Sequence, residues 1–68
     1  MEHIYSYDEQ EKIYRYKRVS EGLVCYSGWI AINPLGEGWL TSEGKVFDEL
    51  DSAKEYLTRV LITTLWNS

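Results

Sequence analysis

The chain has 68 residues, with eleven acids against seven bases and a net charge of −4. That length holds one small domain, residues 1–68, and the acidic balance argues against general charge-driven binding to DNA or RNA, which needs a basic surface to release counterions. A single cysteine, Cys25, and a single histidine, His3, rule out an internal disulfide and offer no zinc-type spacing, so no metal or other cofactor is expected.

The first elements read as a hairpin. "HIYSY" and "KIYRYKRV" alternate and are rich in Tyr, Ile and Val, and the "DEQE" between them is polar. A turn at Glu9-Gln10 sets Tyr5 opposite Tyr14 and Tyr7 opposite Lys12; it also sets Asp8 against Glu11, so a four-residue loop with the same register fits equally well. A second turn, "SEG" at Ser20 to Gly22, has a glycine for the left-handed position. It sets Val19 opposite Leu23 and Tyr16 opposite Tyr26. The third strand, "LVCYSGWIAI", then places Val24, Tyr26, Gly28, Ile30 and Ile32 on the face that carries Tyr5, Tyr7, Tyr14 and Tyr16. Two registers chosen from turn chemistry thus give one continuous apolar face. The opposite face carries Ile4, Ser6, Ile13, Arg15, Lys17, Val19, Leu23, Cys25, Ser27 and Trp29.

"NPLGEG" ends the third strand, because Pro34 cannot donate to a ladder. "WLTSEGKVF" reads as a short fourth strand, a turn at Glu43-Gly44 and a brief fifth. "DELDSAKEYLTRVLITTLW" reads as a helix, capped by Asp48 or by a Ser52/Glu55 box and running to about residue 65. Leu50, Ala53, Leu57, Val60, Leu61, Thr64 and Leu65 form its apolar stripe, while Lys54 and Arg59 face away. The last turn carries a conflict, since Val60, Ile62, Thr63 and Thr64 are β-branched. The expected fold is α+β: an antiparallel β-meander of about four to five strands with one C-terminal α-helix packed on one face. Gly28 lets the helix backbone come close.

Little here points to catalysis. There is no phosphate-binding glycine loop and no paired-histidine signature. Cys25 and His3 fall on opposite sheet faces, which separates a nucleophile from its base and leaves Cys25 as a partly buried strand residue. The expectation is a non-enzymatic protein. Three tryptophans, six tyrosines and a phenylalanine supply the packing.

The stretch from Tyr14 to Trp29 concentrates basic and aromatic side chains. If the tyrosines form the core beneath the helix, Arg15 and Lys17 point outward beside Trp29, Ile13 and Ile4. Arg18 lies on the core side near a strand end, in reach of water. A tryptophan flanked by an arginine and a lysine has the composition of a protein-binding hot spot. Ile62 and Trp66, off the helix stripe, predict a partner contact or a homodimer. The expected role is therefore a small protein-binding module or inhibitor, of the kind that phages and mobile elements direct at host defence enzymes. It would act through a sheet face or the outer helix face. The alternative is a sheet-based nucleic-acid binder using Trp29 and the Arg15, Lys17 and Arg18 cluster, disfavoured by net charge. Met1-Glu2-His3 lacks the features of a signal peptide, "VLITTLW" is too short to span a bilayer, and a lone thiol fits a reducing compartment, so the expected localisation is cytoplasmic with no membrane partner.

Overall fold

The computed structural model describes residues 1–60. Five strands follow in order: β1 (Glu2–Asp8), β2 (Ile13–Ser20), β3 (Leu23–Ile32), β4 (Trp39–Thr41) and β5 (Val46–Phe47). They form one antiparallel sheet whose spatial order is the chain order. A single helix, α1 (Leu50–Arg59), packs against one face. The expected α+β meander with one helix is the fold.

Both hairpins differ from expectation in register. Tyr5 pairs with Tyr16 and Tyr7 with Tyr14, two residues away from the expected pairing. The reason is Asp8, whose Oδ1 accepts the backbone N–H of Gln10 (3.0 Å) and Glu11 (3.2 Å). An Asp that organises its own turn in this way favours a longer loop, here residues 9–12, closed by Lys12 at φ 58°. In the second hairpin the turn has two residues, Glu21 (φ 53°) and Gly22 (φ 79°), and Ser20 pairs with Leu23. Positive φ at both central positions matches the strand twist, and Gly22 adopts it without penalty.

A two-residue turn alone would have reversed the faces of β3. A bulge prevents this: Val19 pairs with Val24, Arg18 with Tyr26, and Cys25 is left over. The tyrosine face is thereby recovered, but Val24 leaves it and is 58% exposed. Cys25 is also exposed rather than partly buried.

The core is Tyr16, Ile30, Ala53 and Leu57, with Tyr5, Tyr14, Tyr26, Trp39, Phe47, Leu50, Tyr56 and Val60 packed around it. Gly28 lies on the core side, but what approaches it is not the helix. A Cβ there would stand 2.8 Å from Ser42 Oγ and 3.0 Å from the Tyr26 hydroxyl.

The residue at the N-cap of the helix is Glu49, whose side chain makes no capping hydrogen bond, so neither Asp48 nor Ser52 has the expected role. It ends at Arg59, with Val60 extended (ψ 130°), short of the expected residue 65; the rest of that expectation lies outside the described residues. Lys54 does not face away. Its ammonium stands 5.4 Å from the centre of the Tyr5 ring and 5.3 Å from that of Tyr14, and its carbonyl accepts the Tyr5 hydroxyl proton. Burial, then the neighbouring Tyr16, raises the Tyr5 phenol to about 12.

Arg18 is the main correction. It is 7% exposed and does not reach water as expected. Nη2 donates to the carbonyls of Leu57 (2.9 Å) and Thr58 (3.1 Å), and Nε donates to the Tyr16 hydroxyl (3.1 Å). The next turn of an α-helix would have supplied partners to those carbonyls. Leu57 keeps one backbone donor, the Val60 N–H (3.3 Å), and Arg18 adds donors to both carbonyls from the sheet, with its charge at the negative end of the helix dipole.

Tyr16 and Lys17 are neighbours on β2 with opposite surroundings, buried and exposed. Tyr16→Ala should cost about 3 kcal/mol and Lys17→Ala under about 0.5 kcal/mol. Urea unfolding checks both; comparable losses at the two positions would contradict this assignment of faces.

Candidate functional site

The face turned away from α1 carries Glu2, Ile4, Ser6 and Asp8 from β1, Ile13, Arg15, Lys17 and Val19 from β2, Val24, Ser27, Trp29 and Ala31 from β3, Leu40 from β4 and Val46 from β5. No described secondary-structure element packs over it. The loop after β3 does not fold back onto Trp29 either: Leu35 at its tip is 95% exposed.

Registry sorts the centre of this face into two rows across three strands. Ile4, Lys17 and Ser27 lie in one; Ser6, Arg15 and Trp29 lie in the other. The serines are short and stand at diagonal corners, so they leave a notch of about 170 Å³ between the taller side chains. It is lined by Ile4, Ser6, Arg15, Tyr16, Lys17 and Ser27. Its wall is apolar at Ile4, and its rim carries two hydroxyls, a guanidinium and an ammonium.

Trp29 is held from behind. Its N–H donates to Ser42 Oγ (3.1 Å) and its carbonyl accepts the Ser42 N–H (2.9 Å), which extends the β3–β4 pairing past Thr41. The indole therefore stands half-buried on a fixed backbone. Arg15 is oriented by Asp8, whose Oδ2 accepts Nε at 3.0 Å. That contact leaves both terminal guanidinium nitrogens without an acceptor among the described residues. The Asp8 carboxyl is held below its ordinary value, first by the Glu11 N–H and then by Arg15.

Of the residues expected to bind a partner, Trp29, Arg15, Lys17 and Ile13 share this face. Ile13 is half-buried opposite Asp8, beside Arg15. Ile62 and Trp66 lie outside the described residues. Arg18 lies on the other side of the sheet and drops out of the basic cluster of the nucleic-acid alternative. Sequence reasoning placed Ser6 and Ser27 on this face but gave them no role. It also missed Asp8 as the support of Arg15. The usable signal was an Asp at a strand end with polar residues after it, which marks a side-chain-organised turn.

A larger cleft, about 310 Å³, runs along the seam of β5 and α1 between Phe47, Ser52, Glu55, Tyr56 and Arg59. Its two charges satisfy each other, Arg59 Nη2 lying 2.9 Å from Glu55 Oε1. The smaller notch, with cations that have no such full match, is the better candidate.

No protein-family model matches the chain, and no curated protein and no solved structure matches it.

The folded chain holds Asp8 more acidic than the unfolded chain does. Its stabilisation is thus complete above the ordinary carboxylate value near pH 4 and is lost as pH falls through the depressed folded value. Asp8→Asn imitates the protonated group. The melting temperatures of wild type and Asp8→Asn should differ at pH 7 and converge at acid pH; a pH-independent gap would mean that Asp8 acts through turn geometry and not through charge.

Proposed function

We propose that the protein is a small, non-enzymatic protein-binding module that engages a partner protein through the outer face of its sheet, centred on Trp29 and Arg15. The observation that carries this reading is their side-by-side placement on paired strands, Arg15 held at its side by Asp8 and Trp29 held through its backbone by Ser42, on a face that no described element covers. Tryptophan and arginine dominate binding hot spots because each brings a large contact area with a directional polar group. A preformed surface also loses little conformational freedom on binding.

The nucleic-acid reading has less support. Its stacking platform would be Trp29 alone, because the tyrosines that could have widened it, Tyr16 above all, are turned to the helix side. With Arg18 buried, Arg15 and Lys17 are the cations left near the centre of this face, and Asp8 partly neutralises Arg15. Size and acidity suit an accessory factor or inhibitor, including one carried by a phage or mobile element against a host enzyme. We assign it to the cytoplasm, where the exposed Cys25 thiol would stay reduced. Among the described residues no helix is long and apolar enough to cross a membrane.

The test is affinity capture from native lysate followed by titration of the recovered partner against three baits: wild type, Trp29→Ala and Arg59→Ala, all confirmed folded. Trp29→Ala should weaken binding by about 2 kcal/mol or more, and Arg59→Ala by less than about 1. The reverse order would move the working surface to the outer side of α1.

A further inference from the structure

The notch opens next to a strand edge that no described strand pairs with. β1 is the first strand of the sheet, and its far side faces no described strand. It runs seven residues, Glu2–Asp8, in regular register with β2. Edge strands are normally blunted by brevity, lysine, proline or a bulge. β5, at the other edge, is blunted by brevity, with two residues. β1 has none of these, and the charges it carries, Glu2 and Asp8, stand at its two ends and leave the stretch from Ile4 to Tyr7 uncharged. Its unpaired backbone N–H and C=O groups are a template for one more strand.

Two independent features meet at Ile4 and Ser6: an open edge and a notch rimmed by cations. A strand laid beside β1 would sit about 4.8 Å from it. A residue opposite Ser6 would extend the row Ser6, Arg15, Trp29 by one place. Because Ser6 is short, an acidic side chain there has a clear path across it to the free guanidinium nitrogens of Arg15. Lys17 stands on the other side of the notch, and among the described residues it is in no ion pair. Fork-shaped recognition by arginine suits a planar carboxylate.

We propose that an extended segment of the partner protein joins the sheet as a sixth strand beside β1, and sets an aspartate or glutamate opposite Ser6, in the notch against Arg15 and Lys17. The backbone of the added strand would supply affinity, and the acid would fix its register. This inference rests on the outer face being a protein-binding surface. It further commits that surface to one mode of binding and one side-chain chemistry.

A displayed library of random twelve-residue peptides, selected on the intact protein, tests it. The selected sequences should share one Asp or Glu at a fixed position, with β-branched or aromatic residues two places to either side. Binding of the consensus peptide should fall about tenfold or more when its acid becomes the amide, and by a similar factor in Arg15→Gln. Alternate β1 amides, those facing away from β2, should exchange more slowly with peptide bound. Selected peptides that lack an acid, or that ignore Arg15→Gln yet need Trp29, would overturn the inference and leave the outer face as the binding surface. Peptides that ignore both Arg15→Gln and Trp29→Ala would overturn both. Concentration-dependent protection of the same amides in the free protein would assign the edge to a second copy of the chain, and Arg15-dependent binding of a single-stranded oligonucleotide in place of an acidic peptide would likewise overturn it.

Discussion

A buried arginine joins the two layers of this domain. Arg18 rises from β2 and ends on the carbonyls of Leu57 and Thr58, with its guanidinium 5.3 Å from the centre of the Tyr26 ring. Among the described residues no carboxylate pairs with it. The charge is held by carbonyl oxygens, the Tyr16 hydroxyl, aromatic faces and the end of a helix dipole. Such a charge is costly to bury unless every donor is placed, and the placement requires α1 to stop where it does. The helix end, the tilt of Tyr16 and the closure of the core are therefore one arrangement. The Tyr16 hydroxyl extends it to His3 Nδ1, 2.7 Å away on β1.

That arrangement decides which face of the sheet is left over. Ten helical residues span about 15 Å and cover one side only. Packing also consumes bases: Arg18 at the helix end, Lys54 over Tyr5 and Tyr14, Arg59 with Glu55. Near the centre of the outer face, Arg15 and Lys17 remain. The basic and aromatic run from Tyr14 to Trp29 thus does two jobs through the alternation of a strand. Tyr14, Tyr16, Arg18 and Tyr26 build the core side, and Arg15, Lys17 and Trp29 build the other.

The two faces were legible in the sequence because side-chain direction depends on parity alone. The β1–β2 register is displaced by two residues, an even number, so Tyr5, Tyr7, Tyr14 and Tyr16 kept their side. On β3 the shorter turn and the bulge at Cys25 cancel, so Tyr26 and Ile30 kept theirs while Val24 did not. Turn length was only partly legible: Asp8 before a polar run marks a side-chain-organised turn, but the residue that closes it, Lys12 at positive φ, carries no such mark. The helix end was not legible. β-Branched residues after Arg59 hinted at it, but the partner of the last carbonyls is Arg18, 39 residues before Leu57 in the chain. Lys54 misled for the same reason: helical periodicity points it at solvent, and tyrosine faces from two strands attract it back. Of the candidate site, Trp29, Arg15, Lys17 and Ile13 were legible from alternation, while the notch and the open edge needed the register.

The sheet has one face closed by α1 and one that no described element covers. Paramagnetic relaxation by a soluble gadolinium complex, read at assigned side chains of the dilute protein, tests this directly. The Ile30 and Leu57 methyl groups should be shielded, while the Trp29 indole N–H and the Ile4 and Val19 methyl groups should relax strongly. Shielding of Ile4, Val19 and Trp29 equal to that of Ile30 would mean that the outer face is covered, and would contradict the account.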